Sequence, residues 1–233
     1  GSGIWNTSGN SWTEDSGNAT NSWKTDEFAL FQAVGGNVTI DNTDGQVSAS
    51  GMQFAVDGYK VEGQPLVLHT DNGDTPIVRV GDGTVAGAAI TATIGSEIQG
   101  NQGLKKTDYG TLVLTANNSY TGDTVIQNGA LQIGDGGTTG SVKGNIVLGN
   151  NDTDETRLIY NHSDNVTVAN VISGTGVLEK QGSNTLILTG ENTYTGGSQV
   201  KDGILQIGDG GTSGSIQGPV ELVSVDSALV IDL

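Results

Sequence analysis

The chain has 233 residues, 26 acidic against nine basic, for a net charge of −17, and it contains 38 glycines, three prolines and no cysteine. Such a charge repels phosphate backbones and anionic bilayers, so nucleic acid is excluded as a partner. The missing thiols remove disulfides, thiolate metal sites and cysteine nucleophiles. No apolar run reaches the ~20 residues that a membrane helix needs, so this segment is not expected to span a membrane.

Taken in chain order, residues 1–35 hold Trp5, Trp12 and Trp23 in a polar stretch. Indoles could stack on sugars there, but a solenoid must cover the open edge of its first coil, and the three tryptophans read as that cap. Trp23 to Val34 is the only mildly helical stretch; it is short and flanked by Gly and Asn, which speaks against a helix. Residues 36–103 carry short bursts with period two, such as Val38-Thr39-Ile40, Leu66-Val67-Leu68 and Ile77-Val78-Arg79-Val80, separated by Gly, Asn and Asp.

From Leu104 to Leu148 and from Leu178 to Leu222 the chain repeats itself at an offset of 74 residues, with 23 of 45 positions identical. The unit 104–177 is followed by a second, truncated unit, 178–233. Many short strands with Gly-rich turns suit a sandwich or barrel as well as a parallel β-helix. The duplication favours the β-helix, in which each coil covers the last and like residues stack. Leu112 to Leu131 is 19 residues, the length of one coil, so a 74-residue unit holds three or four coils and the chain roughly ten. The expected fold is all-β, a parallel β-helix with Leu112, Leu114, Ile126, Leu131 and Ile133 inside, copied by Leu186, Leu188, Val200, Leu205 and Ile207.

Little in the sequence carries chemistry. The strings Gly134-Asp135-Gly136-Gly137 and Gly208-Asp209-Gly210-Gly211 lack the frame of a phosphate loop and the nine-residue period of calcium-binding repeats, and read as tight corners whose Asp caps its own turn. Asp71-Asn72-Gly73-Asp74 and Asn150-Asn151-Asp152-Thr153-Asp154-Glu155 concentrate carboxylates without the spacing of a calcium hand, and read as solvated loops; the second is the first place to look for binding. His69 and His162 are expected at solvent-facing strand positions, too isolated for a metal site or an acid–base pair. No nucleophile elbow occurs. The expectation is therefore no catalytic residue, no cofactor and no metal.

The strings Leu112-Val113-Leu114-Thr115-Ala116-Asn117-Asn118-Ser119-Tyr120-Thr121-Gly122 and Leu186-Ile187-Leu188-Thr189-Gly190-Glu191-Asn192-Thr193-Tyr194-Thr195-Gly196, each continued by Leu-Gln-Ile-Gly-Asp-Gly-Gly-Thr, resemble the autotransporter-associated β-strand repeat. That resemblance implies a passenger of the AIDA-like adhesin type: a right-handed β-helix placed on the bacterial surface by a C-terminal β-barrel that this segment does not contain. It also implies partners, either a second copy of the chain (self-association, biofilm) or a glycan or protein on a host or bacterial surface. The alternative is a stalk and folding scaffold for a functional tip elsewhere in a longer protein.

Overall fold

The structure, a computed structural model, describes residues 1–13, 19–149 and 156–233. Its strands are two to five residues long and pair almost entirely in parallel, as an all-β solenoid of about nine turns. Each coil passes three sides. A ten-stranded sheet runs from Gly3–Trp5 to Val220–Leu222, and a seven-stranded sheet from Phe28–Phe31 to Ile172–Gly174. The third side holds a three-stranded sheet, single bridging residues, and then a four-stranded sheet ending at Ala228–Ile231. Trp12–Thr13 and Ala19–Asn21 form the one antiparallel pair among the described residues. Helix is confined there to a 3₁₀ turn, Val85–Ala89. The stretch around Phe28 is a strand, its side chains alternating out and in.

One wall of a solenoid faces water and the other faces the lumen, so parallel strands that are usually buried on both faces here alternate. Inward residues stack at the strand spacing of roughly 4.8 Å. Ala92, Leu112, Leu131, Leu158 and Leu178 form one such ladder, and Ile94, Leu114, Ile133 and Tyr160 another. All are buried. Leu112 pairs with Leu131, and in the second unit Leu186 pairs with Leu205, which fixes the 19-residue coil. Each buried Leu contributes about 2 kcal/mol of transfer free energy, so the lumen supplies most of the drive to fold. Over the first coil Trp5, Trp12 and Trp23 cluster with Phe31, with ring centroids 4.6–5.7 Å apart.

Within a unit like sits on like, but the two units do not stack face on face. Leu104–Thr107 lies in the seven-stranded sheet, whereas its copy in Val177–Gln181 lies in the ten-stranded one. Thr111–Leu114 lies in the ten-stranded sheet, its copy Thr185–Leu188 on the third side. The register explains the shift. Successive coils carry the chain from Leu104 to Thr124, Ile146 and Ile172, and the next strand already brings Leu178 onto the following side. A unit is three coils plus one face, so its second copy is turned by one side of the prism.

Candidate functional site

The two units share a set of buried polar devices. Asn118 accepts from Ile98 N (2.9 Å) and donates to Ala116 O (2.9 Å) and Ser141 O (3.0 Å), joining three successive coils. Asn192 does the same with Ile172 N, Gly190 O and Ser215 O at 2.8–2.9 Å. Tyr120 and Tyr194 bond Thr124 and Ser198 through their hydroxyls. Burial raises both phenols, Tyr194 to about 12. Lys106 and Lys180 point inward, almost wholly buried. Lys106 Nζ donates to Asp108 O and Asn128 O (2.9 Å); Lys180 Nζ donates to Gln181 O, Gly182 O, Asn184 Oδ1 and Asp202 O. Desolvation lowers Lys106 to about 7 and Lys180 to about 8, against weak support from Asp108 and Asp202. The asparagines add a second donor to carbonyls that already hold a main-chain N–H, and the lysines bond the carbonyls of their corners. They are closed to ligands.

One open depression, of about 590 Å³, lies at the N-terminal cap against Trp5, Trp12 and Phe31; two more lie near the first coils, on the outer face of the seven-stranded sheet. Phe28, Gly51, Ile77 and Lys105 are lateral neighbours there. Phe28 is 49 % exposed and Ile77 38 %. The Phe28 ring fills the space a side chain at Gly51 would take, 3.0 Å from an added Cβ. On one side of this pair an open depression of about 390 Å³ is bounded by Ser50 and the loop from Thr70 to Thr75. On the other a depression of about 560 Å³ is bounded by Gln53, Arg79, Gly83, Asp108 and Tyr109. Phe28 and Ile77 line both, so the two form one groove along the strand direction.

Its walls are pre-set. Gln102 clamps the Thr70 backbone, accepting from its N (2.8 Å) and donating to its O (2.9 Å). Asn72 donates to Asp74 Oδ2 (2.6 Å), and Thr70 Oγ1 donates to Asp74 O. At the other end Asp108 accepts from Arg79 Nε, Gly83 N and Tyr109 N, each at 2.8 Å, and its carboxylate is only 4 % exposed. Asp108 sits at φ +67°, a left-handed conformation that non-glycine residues hold only when their surroundings enforce it. Its equivalent in the second unit is Gly182, at φ +78°. A side chain at Gly81 would collide with the Asp108 carboxylate, so that glycine makes room for the pin.

Other sequence-derived candidates fare differently. Asp71, Asn72 and Asp74 are exposed as expected, and they form a groove wall. The acidic run 150–155 lies outside the described residues. Gly134-Asp135-Gly136-Gly137 and its copy do form corners with positive φ at Gly134, Gly136, Gly208 and Gly210. Asp135 and Asp209 are exposed there, and no hydrogen bond to their carboxylates is found among the described residues, so they do not cap their own turns. His69 is half-exposed, 3.4 Å from Asp71. His162 overturns the expectation of a solvent-facing histidine: it is buried at 3 % exposure beneath the Gly134 corner, where the absent Cβ leaves room for the ring. Among the described residues neither of its nitrogens meets the geometry of a hydrogen bond, and desolvation lowers its pKa despite Asp164 and Asp135. Among the described residues no cluster of three potential metal ligands occurs. Sequence reading missed the groove. Its one linear trace is Asp108 standing where the repeat elsewhere places glycine.

A parallel solenoid whose repeated units spend their identities on lumen and corners is the architecture of an autotransporter passenger, and residues 104–133 and 178–207 match the passenger-associated-transport repeat. The chain is an autotransporter passenger-type segment. It is 45 % identical over 213 residues to the "Adhesin BmaC autotransporter" of Brucella suis biovar 1 (strain 1330), an alignment that takes in 83 % of this chain and 6 % of that protein. The chain thus spans a small fraction of the relative's length. No solved structure matches it.

Proposed function

We propose that this segment is a non-enzymatic adhesive stretch of a surface passenger, carried through the outer membrane by a C-terminal β-barrel and attaching to a second copy or to a host or bacterial surface. The observation that carries this reading is the groove: exposed apolar side chains gathered between pre-set polar walls, on a solenoid whose other conspicuous polar groups are sealed inside. Phe28 and Ile77 stand together as an exposed apolar pair against polar walls, the kind of surface that binds a partner. The similarity to an adhesin supports the same reading. Beads coated with the purified segment should adhere to bacterial or host cell surfaces, or to each other, and uncoated beads should not. Uniform failure across such surfaces removes the adhesive reading.

A spacer role is the second reading, and the repeats favour it. Matches between the units include the buried polar pairs Asn118 with Asn192 and Lys106 with Lys180. Deleting residues 104–177 from the full-length protein discriminates. Loss of surface display, with adhesion retained by whatever is displayed, supports the spacer.

A further inference from the structure

The groove over Phe28 and Ile77 has a composition that selects a ligand class. We propose that it binds an uncharged oligosaccharide; this rests on the adhesive reading and names its ligand. A sugar ring shows an apolar face of C–H groups and a rim of hydroxyls. It is held by a flat apolar platform flanked by fixed planar polar groups, since apolar contact and hydrogen bonding must be satisfied together. Phe28 and Ile77 supply the platform, with Tyr109 at one end. Asn72 and Asp74 supply planar groups at one wall, already fixed by their mutual hydrogen bonds. Gln53 and Arg79 supply them at the other, Gln53 held by Gly81 O at 2.9 Å and Arg79 by Asp108. Groups ordered before binding lose little entropy on binding.

Charge decides against the other occupants. Among the described residues Arg79 is the only cation lining the two depressions, and its charge is met by Asp108; Lys105 lies beside Ile77 outside the lining, and at the far wall Asp71 and Asp74 face no lysine or arginine among the lining residues. Added to the net charge of −17, this disfavours acidic polysaccharides. Arg79 uses only Nε for its pin, which leaves the Nη groups to donate to a hydroxyl. A basic peptide would find carboxylates but no use for the platform. Strain gives independent support: the first unit keeps Asp108 in a left-handed conformation where the second relaxes to glycine, and the product of that strain is the placement of Arg79.

Isothermal titration of the purified segment with uncharged glucan, mannan and N-acetylated chitin oligosaccharides tests this, alongside oligogalacturonate and oligolysine. At least one uncharged oligosaccharide should bind, with affinity in the ~0.1–1 mM range suited to a multivalent surface. Phe28→Ala and Arg79→Ala should each weaken it about tenfold or more, while Thr167→Ala, on the opposite third side, should leave it unchanged. Circular dichroism confirms folding, and Arg79→Lys, which keeps charge but not the planar fork, should also bind weakly. Binding of oligogalacturonate or oligolysine alone, or of no probe while coated beads still adhere, overturns the saccharide assignment and leaves adhesion standing. Saccharide binding that depends on Phe28 with no bead adhesion sustains the groove and overturns the adhesive reading.

Discussion

The two units, offset by 74 residues and identical at 23 of 45 positions, part company at one corner. Asp108 opens the strand turn of the first, Gly182 that of the second, both with positive φ and both with a main-chain oxygen held by a buried lysine. At Gly182 the corner is relaxed, and its carbonyl, with its neighbours, completes the shell of Lys180. At Asp108 the same corner also carries a carboxylate that pins Arg79 in the groove. Turning the second unit by one face moves its corner off the side that bears Phe28 and Ile77, where such a pin would have nothing to hold. Corner chemistry is thus common to the units; surface chemistry follows the face on which a unit starts.

Removing what the units share should cost most. Asn118→Leu and Asn192→Leu each leave one buried main-chain N–H, that of Ile98 or Ile172, without its acceptor, and take a second donor from two carbonyls that keep a main-chain N–H. Urea denaturation should show a loss of about 2–4 kcal/mol for either, and nearly equal losses for the two. A clear inequality would mean the device is not equivalent in the two units. Next comes Gly182→Asp, which imposes the first corner on the second. Its Cβ would lie 2.4 Å from His162 O with no arginine to meet the carboxylate, so a loss of about 2–4 kcal/mol is expected.

The lysines yield a smaller, pH-dependent difference. An unfolded lysine titrates near 10.5, whereas folded Lys106 and Lys180 are lowered to about 7 and about 8. Between those values the unfolded chain binds more protons, so stability must rise with pH from about 7 toward 10. Below about 7 both states are charged and the burial penalty stands in full. Above 10 the sign reverses, because the buried phenols Tyr120, Tyr160 and Tyr194 hold their protons only when folded. Thermal melts from pH 7 to 9 should therefore gain about 2 kcal/mol, roughly half the ~4 kcal/mol ceiling that the two shifts set, because solvent screening trims both. Lys106→Met should flatten that rise more than Lys180→Met does. A flat wild-type profile would mean that both amines reach solvent.

How much of this was written in the sequence depends on distance along the chain. Leu112 and Leu131 are one coil apart, and period two with period 19 sufficed to pair them. The order of faces was not legible, because coil lengths vary. Leu104 to Thr124, Thr124 to Ile146 and Ile146 to Ile172 differ in residue count, and only the register shows that the unit overshoots by one side. His162 was misread because it ends a strand beneath a glycine corner, where alternation no longer says which way a side chain points. The groove was invisible for a plainer reason: Phe28 and Ile77 meet only through the pairing of both their strands with the one that begins at Gly51.

Asp108→Gly is the mildest change to the fold and the one that best separates scaffold from surface. It removes a left-handed backbone conformation costing about 1–3 kcal/mol for a residue with a side chain, and with it the ion pair between the buried carboxylate and the part-exposed Arg79, together with bonds to Gly83 N and Tyr109 N. The two effects oppose, so stability should move by less than about 1 kcal/mol in denaturant titrations. Lys106 keeps its carbonyl partner at position 108, so the lumen is untouched. Arg79, released from its pin, should lose its fixed place in the groove, and saccharide binding should fall about tenfold while the melt barely shifts. If the melt instead drops by several kcal/mol with binding intact, Asp108 belongs to the scaffold, and the contrast between the two corners is only a difference in how the same turn is held.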